Sequence, residues 1–349
     1  MIDVYANGQK FSYWTGAKIS RSLDHIAASF SLNIVARDSV GNAVKLFPGD
    51  SVEIKVDGIT VIKGFVEKLS TSFAAGSHSV SVSGSETSCD LADCCVDSPF
   101  EWKDKTLDKI VSDICSRFGL KFSNSMGVDV GKALKKFSVE PGAKALETIA
   151  KLCKERGIIP CSDGIGDVYL LNPAKASRGP ELKQGVNLMS ASVDFSINDR
   201  YSVYEVFGSG KAKSKVKATK RDSDVSRNRP LLIVDSNATQ KESVEARAEW
   251  EYTVRKAKSM GFKCAVHGWS HSAGLWEPGM MCTFEAPDLY VEEPIDLLVS
   301  SVEFEWGGNG SVTNITLVSP DVYIPQPETK KKKPTTKSPW DSIKKAVKG

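Results

Sequence analysis

Residues 1–97 alternate apolar and polar positions with a period of two, the mark of strands with one face buried. Val52-Glu53-Ile54-Lys55-Val56 and Ile59-Thr60-Val61-Ile62 flank Asp57-Gly58, and Val4-Tyr5 runs into Asn7-Gly8. Both dipeptides adopt positive φ readily, so each predicts a tight two-residue hairpin. Lys10–Tyr13 alternates again, Leu23–Ala28 reads as a short helical or irregular piece, and a strand led by Phe30 follows. The segment predicts a compact β-sandwich or barrel.

Over residues 98–185 the period changes to 3.6. Leu107, Ile110, Val111, Ile114 and Phe118 form a helical stripe ended by Gly119, with a strand at Leu120–Phe122. The pattern recurs with Leu146, Ile149, Ala150 and Cys153, ended by Gly157 and a strand from Ile158. Thr106 and Gly142 stand near the two helix starts. Val168–Leu171 adds a strand. Two helix–strand units make a small α+β insert that carries packing and no visible site.

From residue 186 the period of two returns. Leu188–Ile197 and Tyr201–Phe207 read as strands, Lys211–Arg229 as a long exposed polar loop, and Leu231–Val234 as a short buried strand. Ser236-Asn237 caps a predicted helix over 238–260. Its stripe is Ala246, Trp250, Val254 and Ala257, with Glu251 and Arg255 as a favourable i,i+4 pair. A β module from Phe262 closes the domain near Pro320. The last stretch, 326–349, reads as a Lys-rich flexible tail. Trp340, Ile343 and Val347 fall roughly on one helical face there, as a docking peptide would have them, although loose termini are usual.

Two stretches echo each other. Both open on a Phe-led strand (Phe30, Phe262) and pass a Gly/Ser/Asn turn. Both reach a bulky apolar pair (Leu46-Phe47, Leu275-Trp276), then Pro-Gly, then a strand. Gly64–Leu69 followed by Val80–Gly84 matches Leu298–Phe304 followed by Val312–Val318. Unrelated meanders share alternation and Pro-Gly turns, but a fixed order present twice points to a duplicated module.

A length of 349 residues is ample for two or three domains. The net charge is +3, but Gln326–Gly349 and Lys211–Arg229 each carry +6, which leaves −9 on the remainder. An acidic body with two basic appendages does not offer the clustered cations that grip phosphates. No apolar run reaches the ~20 residues of a membrane helix, and Met1-Ile2-Asp3-Val4 does not open a signal peptide. Synthesis and folding in a cytosol are expected. The eight cysteines (Cys89, Cys94, Cys95, Cys115, Cys153, Cys161, Cys264, Cys282) include no C-x-x-C and read as free thiols.

No catalytic constellation emerges. Gly208-Ser209-Gly210-Lys211 lacks the phosphate-loop spacing. Cys264, His267, His271 and Cys282 bring zinc to mind, but a closed site needs four convergent ligands. In a regular strand His267 would share a side with Ala265 and Trp269 and oppose Cys264. His25 and His78 stand alone. Glu303 and Glu305 share a strand face without a visible cleft between paired carboxylates. The expectation is no enzyme, no cofactor and no metal.

One family resemblance covers nearly the whole chain, up to Pro325. It is carried by Glu101-Trp102-Lys103 with Thr106-Leu107, and by Asp222–Val225 through Arg229-Pro230 to Ser236. The Ala246-Arg247-Ala248 helix and Gly268-Trp269 with Gly274–Gly279 complete it. In these features the sequence resembles baseplate hub proteins of contractile-tailed phages, in particular the Mu-type hub, related to late-control-protein hubs.

The resemblance implies a mainly β chain with an α+β insert: a tube-like β-barrel domain at 1–97, the insert at 98–185, a second such domain at 186–325, and the tail. It implies a homotrimer whose six barrels form a pseudo-sixfold ring. That ring would join the sixfold tail tube protein to the threefold central spike protein, among baseplate wedge proteins, in the virion. DNA would pass through the channel without specific binding, and an acidic lining would repel it. A tailocin or secretion-type hub, and less readily a particle-associated cell-wall hydrolase, are the alternatives.

Overall fold

A computed structural model describes residues 2–35, 46–75, 77–154, 156–208, 216–238, 240–308 and 310–327. The Gly/Ser/Asn turn expected between the Phe30 strand and Leu46, the lysines at 211–215 and the tail from 328 lie outside the described residues. Contacts divide the chain into two compact units. One joins residues 1–195 to 257–325, and the other holds Ser196–Lys256.

The first unit begins with seven strands: β1 (Ile2–Ala6), β2 (Gln9–Phe11), β3 (Trp14–Ser22), β4 (Ser29–Ile34), β5 (Ser51–Val56), β6 (Ile59–Ala74) and β7 (Ser77–Glu86). Asn7 and Gly8 have φ of 48° and 79°, and Asp57 and Gly58 have 50° and 83°. These mirror-image turns match the strand twist, so both expected hairpins form. In β4 Phe30, Leu32 and Ile34 point inward and Ser29, Ser31 and Asn33 outward. The strand β3 was not anticipated. Its inward face carries Ala17, Ile19 and the buried Arg21, and that arginine breaks the apolar pattern.

The insert follows: α1 (Cys89–Asp93), β8 (Glu101–Lys105), α2 (Leu107–Arg117), β9 (Lys121–Ser123), β10 (Leu134–Ser138), α3 (Ala145–Lys154), β11 (Ile159–Ser162) and β12 (Asp167–Leu171). Both expected helix–strand units are present. Leu107, Ile110, Val111 and Ile114 of α2 and Ala145, Ile149 and Cys153 of α3 share a core with Val168 and Leu170. The β11–β12 turn reaches the first module, where Gly164 accepts a 2.8 Å hydrogen bond from the Lys63 amide. A Cβ on Gly164 would lie 2.1 Å from the Val61 carbonyl oxygen, so glycine is required at this approach.

Short strands β13 (Ser177–Arg178) and β14 (Leu182–Lys183) lead to β15 (Leu188–Phe195). The second unit then holds β16 (Val203–Gly208), β17 (Lys217–Arg221), β18 (Pro230–Asp235) and α4 (Lys241–Lys258). Its sheet runs β17-β16-β18, with β18 parallel to β16. Here three expectations are corrected. Lys217–Arg221 is a strand, not loop, because it pairs along β16. Leu231–Val234 is not buried: β18 is an edge strand, and Leu232 and Val234 face outward, 60% and 78% exposed. The stripe of α4 holds at Val254 and Ala257, both buried, and is phased differently before them. Val244, Ala248 and Val254 are buried with Glu251, while Ala246 is exposed. Glu251 sits inward because Arg247 and Arg255 bind its two carboxylate oxygens at 2.7 and 2.9 Å.

The chain returns to the first unit with β19 (Met260–His267), β20 (Ser270–His271), β21 (Gly274–Leu275), β22 (Met280–Ala286), β23 (Val291–Gly307) and β24 (Gly310–Val318). One large sheet takes the order β15-β19-β24-β23-β3-β4-β7-β6-β5-β1-β2, with β22 on β23 and β13 and β14 on β22. It contains the repeat. The order β3-β4-β7-β6-β5 is matched by β15-β19-β24-β23-β22.

The match extends to individual residues. Phe30 pairs with Gly84, which pairs with Val66; Phe262 pairs with Leu317, which pairs with Val299. The register slips once between Val66 and Lys68 and once between Val299 and Ser301. A second slip falls between Trp14 and Gly16 and between Leu188 and Ser190. At each Pro-Gly the glycine amide donates 2.8 Å to the carbonyl before the first bulge, Gly49 to Val66 and Gly279 to Val299. Their φ values are 96° and 88°. Pro48 and Pro278 therefore align, and the residue equivalent to Leu46 is Trp276. The expected bulky pairs are one position out of step, although Leu46 and Trp276 are both buried.

Candidate assembly surface

The face of the large sheet turned away from the core is built by one rule. Each strand sends its apolar residues inward, so the residues between them form the other face. Across the first module one row runs Lys18, Ser31, Ser83, Lys68, and its neighbour runs Gly16, Asn33, Ser81, Ser70. Across the second module the rows run Ser192, Lys263, Thr316, Ser301 and Ser190, Ala265, Asn314, Glu303. The result is a field made mostly of small hydroxyl and amide groups, with Lys18, Lys68, Lys263 and Glu303 as the charged members of these rows.

The two modules meet along one junction, where β23 pairs antiparallel with β3 from Ser301↔Ser22 to Trp306↔Ala17. On the polar face Lys18 binds Glu303 at 2.9 Å, Ser20 donates to Glu303 at 3.1 Å, and Asn314 donates to Glu305 at 3.2 Å. Glu303 accordingly holds the Lys18 ammonium above the usual lysine range, against partial burial. On the core face Phe304 and Ile19 are fully buried side by side. At the end Trp14 and Trp306 stack edge to face, with centroids 5.0 Å apart. The expectation that Glu303 and Glu305 share a strand face holds, and their partners here are structural.

The tempting zinc residues separate. Cys264 and Cys282 are buried in the core, and burial pushes both thiols up to about 12. His267 is exposed, and Ala265, two residues before it in the strand, is buried. Trp269 does not share the side of His267. The strand ends at His267, Gly268 turns at φ 74°, and Trp269 folds into the core with Nε1 donating to Glu305 O. His271 lies against Trp276, where burial lowers its pKa. Among the described residues no group of three or more His, Cys, Asp and Glu side chains converges as a metal site. A cavity of about 540 Å³ on the polar face is lined by Met189, Ser190, Ala265, Glu305 and Asn314, with one ionisable group. Beyond Gly208, Ser209-Gly210-Lys211 lie outside the described residues.

The residues that carried the family resemblance also serve packing. Trp102 Nε1 donates 2.8 Å to Asp113, and Arg117 lies over the Trp102 ring and binds the same carboxylate. In the second unit Asp222 is buried, and Arg200 grips both of its oxygens at 2.9 Å. Arg229 stacks over Tyr201. The hydroxyl field was missed in the sequence, yet a signal was present. Ser79, Ser81, Ser83 and Ser85 alternate with core residues in β7, as do Ser29, Ser31 and Asn33 in β4.

Comparison with known proteins supplies a context for this geometry. Residues 1–86 match the family described as Mu phage baseplate assembly protein GpP-like, N-terminal. Residues 88–172 match baseplate hub protein gp44-like, second domain, and residues 239–326 match Mu phage baseplate assembly protein GpP, fourth domain. The baseplate hub protein gp44 of Escherichia phage Mu is 28% identical over 348 residues, covering 95% of this chain and 91% of that protein. Among solved structures, the 43 kDa tail protein of prophage MuSo2 from Shewanella oneidensis is similar with a TM-score of 0.81 and 28% identity, over 93% of this chain and 99% of that one. A tail protein from Neisseria meningitidis MC58 shares the fold, with a TM-score of 0.73 and 17% identity over 93% and 98% of the two chains.

Proposed function

The chain belongs to the Mu-type family of baseplate hub proteins of contractile phage tails, and from that premise we propose that three copies close into a ring of six equivalent modules. The ring faces the sixfold tail tube with six like surfaces, and its remaining parts obey the threefold axis of a central spike, within reach of the surrounding wedge proteins. The domain division at 1–97, 98–185 and 186–325 belongs to the same reading. A single observation carries it: one strand order, with the same two bulges and the same Pro-Gly contact, occurs twice in the chain, edge to edge. Such a chain is already one third of a pseudo-sixfold ring.

In this assembly the hydroxyl field lines the channel. DNA then slides past serine and asparagine groups, with Glu303 and Lys18 neutralising each other. This reading replaces repulsion by an acidic wall with a mostly uncharged surface, on which Lys18, Lys68 and Lys263 stand among hydroxyl and amide groups. The role is structural, not catalytic, and a peptidoglycan-hydrolysis assay on the purified protein is expected to give no activity.

The mass of the purified protein in solution tests the assembly. Sedimentation equilibrium is expected to return three times the 37.9 kDa chain mass. A monomer at every concentration, alone and with the tube protein added, would defeat the ring.

A further inference from the structure

The duplicated modules differ at one edge each, and those two edges fit each other. In the second module β23 is paired on both sides over Ser301–Trp306, by β24 and by β3. The equivalent stretch of β6, after its own bulge, is Lys68–Phe73. Among the described residues it is paired only on the β7 side. The counterpart of β3 is β15, which among the described residues is paired only with β19. Each module thus lacks what the internal junction has. Bare strand edges invite a further strand, and native proteins usually guard them with proline, several lysines or a covering element. Ser70-Thr71-Ser72-Phe73 carries none of these side chains.

The exposed side chains agree. Phe73 occupies the place of Trp306 and is 91% exposed, against 37% for Trp306 beside Trp14. On β15, Leu188 occupies the place of Trp14, and Met189 beside it is 42% exposed; Phe195, at the far end of the strand, is 57% exposed.

Resting on the ring reading above, we propose that β6 of one copy pairs antiparallel with β15 of the next, in the register of the internal junction. Thr71 then lies opposite Val193 of the partner subunit, as Phe304 lies opposite Ile19. Ser72 lies opposite Ser192 of the partner subunit, as Glu305 lies opposite Lys18, and Phe73 packs on Leu188 of the partner subunit. The two edges are different surfaces, so the contact is heterologous and propagates until the ring closes.

Cysteine pairs read the register. S72C/S192C in the full chain is expected to give covalent trimer on mild oxidation, since directly opposed residues place their Cβ atoms about 4.5–5.5 Å apart. S70C/S190C, four residues out of register, and each single variant are expected to give only the wild-type background of Cys94 and Cys95. F73D is expected to weaken self-association about tenfold or more, the factor that ~1.4 kcal/mol represents, without changing the monomer's circular dichroism. If the protein is trimeric and S72C/S192C does not cross-link, or S70C/S190C cross-links equally, the register is overturned while the ring survives. If F73D leaves trimerisation unchanged, the edge contact is overturned. If the wild type is monomeric with and without the tube protein, ring and register fall together.

Discussion

The two modules of the large sheet share a backbone plan and diverge in what their equivalent positions hold. The row Ile19, Phe30, Gly84, Val66 answers to Val193, Phe262, Leu317, Val299. Where the second module fills the row with Leu317, the first has Gly84, because a Cβ there would meet the Phe65 carbonyl oxygen at 2.0 Å and the Phe30 ring at 2.8 Å. The flanking strand differs too: β1 lies antiparallel to β5, whereas β13 and β14 lie parallel to β22. Hydrogen-bond order and bulges are therefore what the repeat keeps, and packing is re-solved in each copy. For a chain that presents equivalent surfaces on an unequal body, that is the economical division.

The sharpest contrast lies at Phe304 and its equivalent Thr71. Phe304 is fully buried at the internal junction, whereas Thr71 is exposed on the bare edge. Phe304→Ala is expected to destabilise the monomer by about 3–5 kcal/mol, the usual range for a buried phenylalanine. Thr71→Ala should stay within about 0.5 kcal/mol, as surface changes do. Denaturant unfolding of both variants checks this. Similar losses would mean that the β6 edge is covered within the single chain, and the comparison would break.

Gly49 and Gly279 test the equivalence of the Pro-Gly contact. Both hold positive φ, where a Cβ adds about 1–2 kcal/mol of strain. Gly49→Ala meets open space, so its effect is strain alone. Gly279→Ala would also place its Cβ 2.8 Å from Leu171 Cδ2 of the insert, so its loss is expected to be the larger. A smaller loss at Gly279, measured by thermal unfolding, would show that the insert yields there.

These positions also mark what could be read in advance. Asn7-Gly8, Asp57-Gly58 and the stripes of α2 and α3 were legible because local chemistry decides them. The repeat was legible because Pro-Gly and the Phe-led strands recur. What stayed hidden depends on distant partners. Arg21 is inward-facing in β3 beside Glu277 and the Ser162 carbonyl, and Glu251 is inward-facing in α4 between two arginines. Each is a charged residue at an inward position, and each masked or misphased its element. The Leu231–Val234 run looked buried because composition does not tell an edge strand from a central one. The polar face was in plain view as alternating serines, but only the strand order assembles them into one surface.

Glu86 separates the modules by pH. It is fully buried at the end of β7, where the second module has Ser319, and its carboxylate accepts a hydrogen bond from Ser88. Burial raises its pKa, with Ser162, Ser88 and Arg21 opposing. A carboxyl whose folded pKa is raised contributes stability that is fully present below its unfolded value, near 4.5, and lost as pH rises through the folded value. Glu86→Gln removes that titration. Its stability relative to the wild type is therefore expected to climb between pH 4 and pH 8. A gap that stays constant over that range would mean the carboxylate finds compensation that burial conceals.

The smallest effect on folding is expected where the two modules agree, on the hydroxyl face. Ser29→Lys with Ser83→Lys places two cations on central strands of the first module, outside the junction and both bare edges. Ser29 is exposed and Ser83 partly so, and neither fills the core, so unfolding free energy should move by no more than about 0.5 kcal/mol. In a closed ring, however, three copies place six added lysines around one channel. The passing phosphates would then meet more cations than Lys18, Lys68 and Lys263 supply, and would release more counterions to them. Particles carrying the variant should assemble normally and deliver DNA more slowly, most visibly at low salt, where screening is weakest. Normal delivery at low salt from assembled particles would put this face away from the DNA path and leave its serines to another surface of the baseplate.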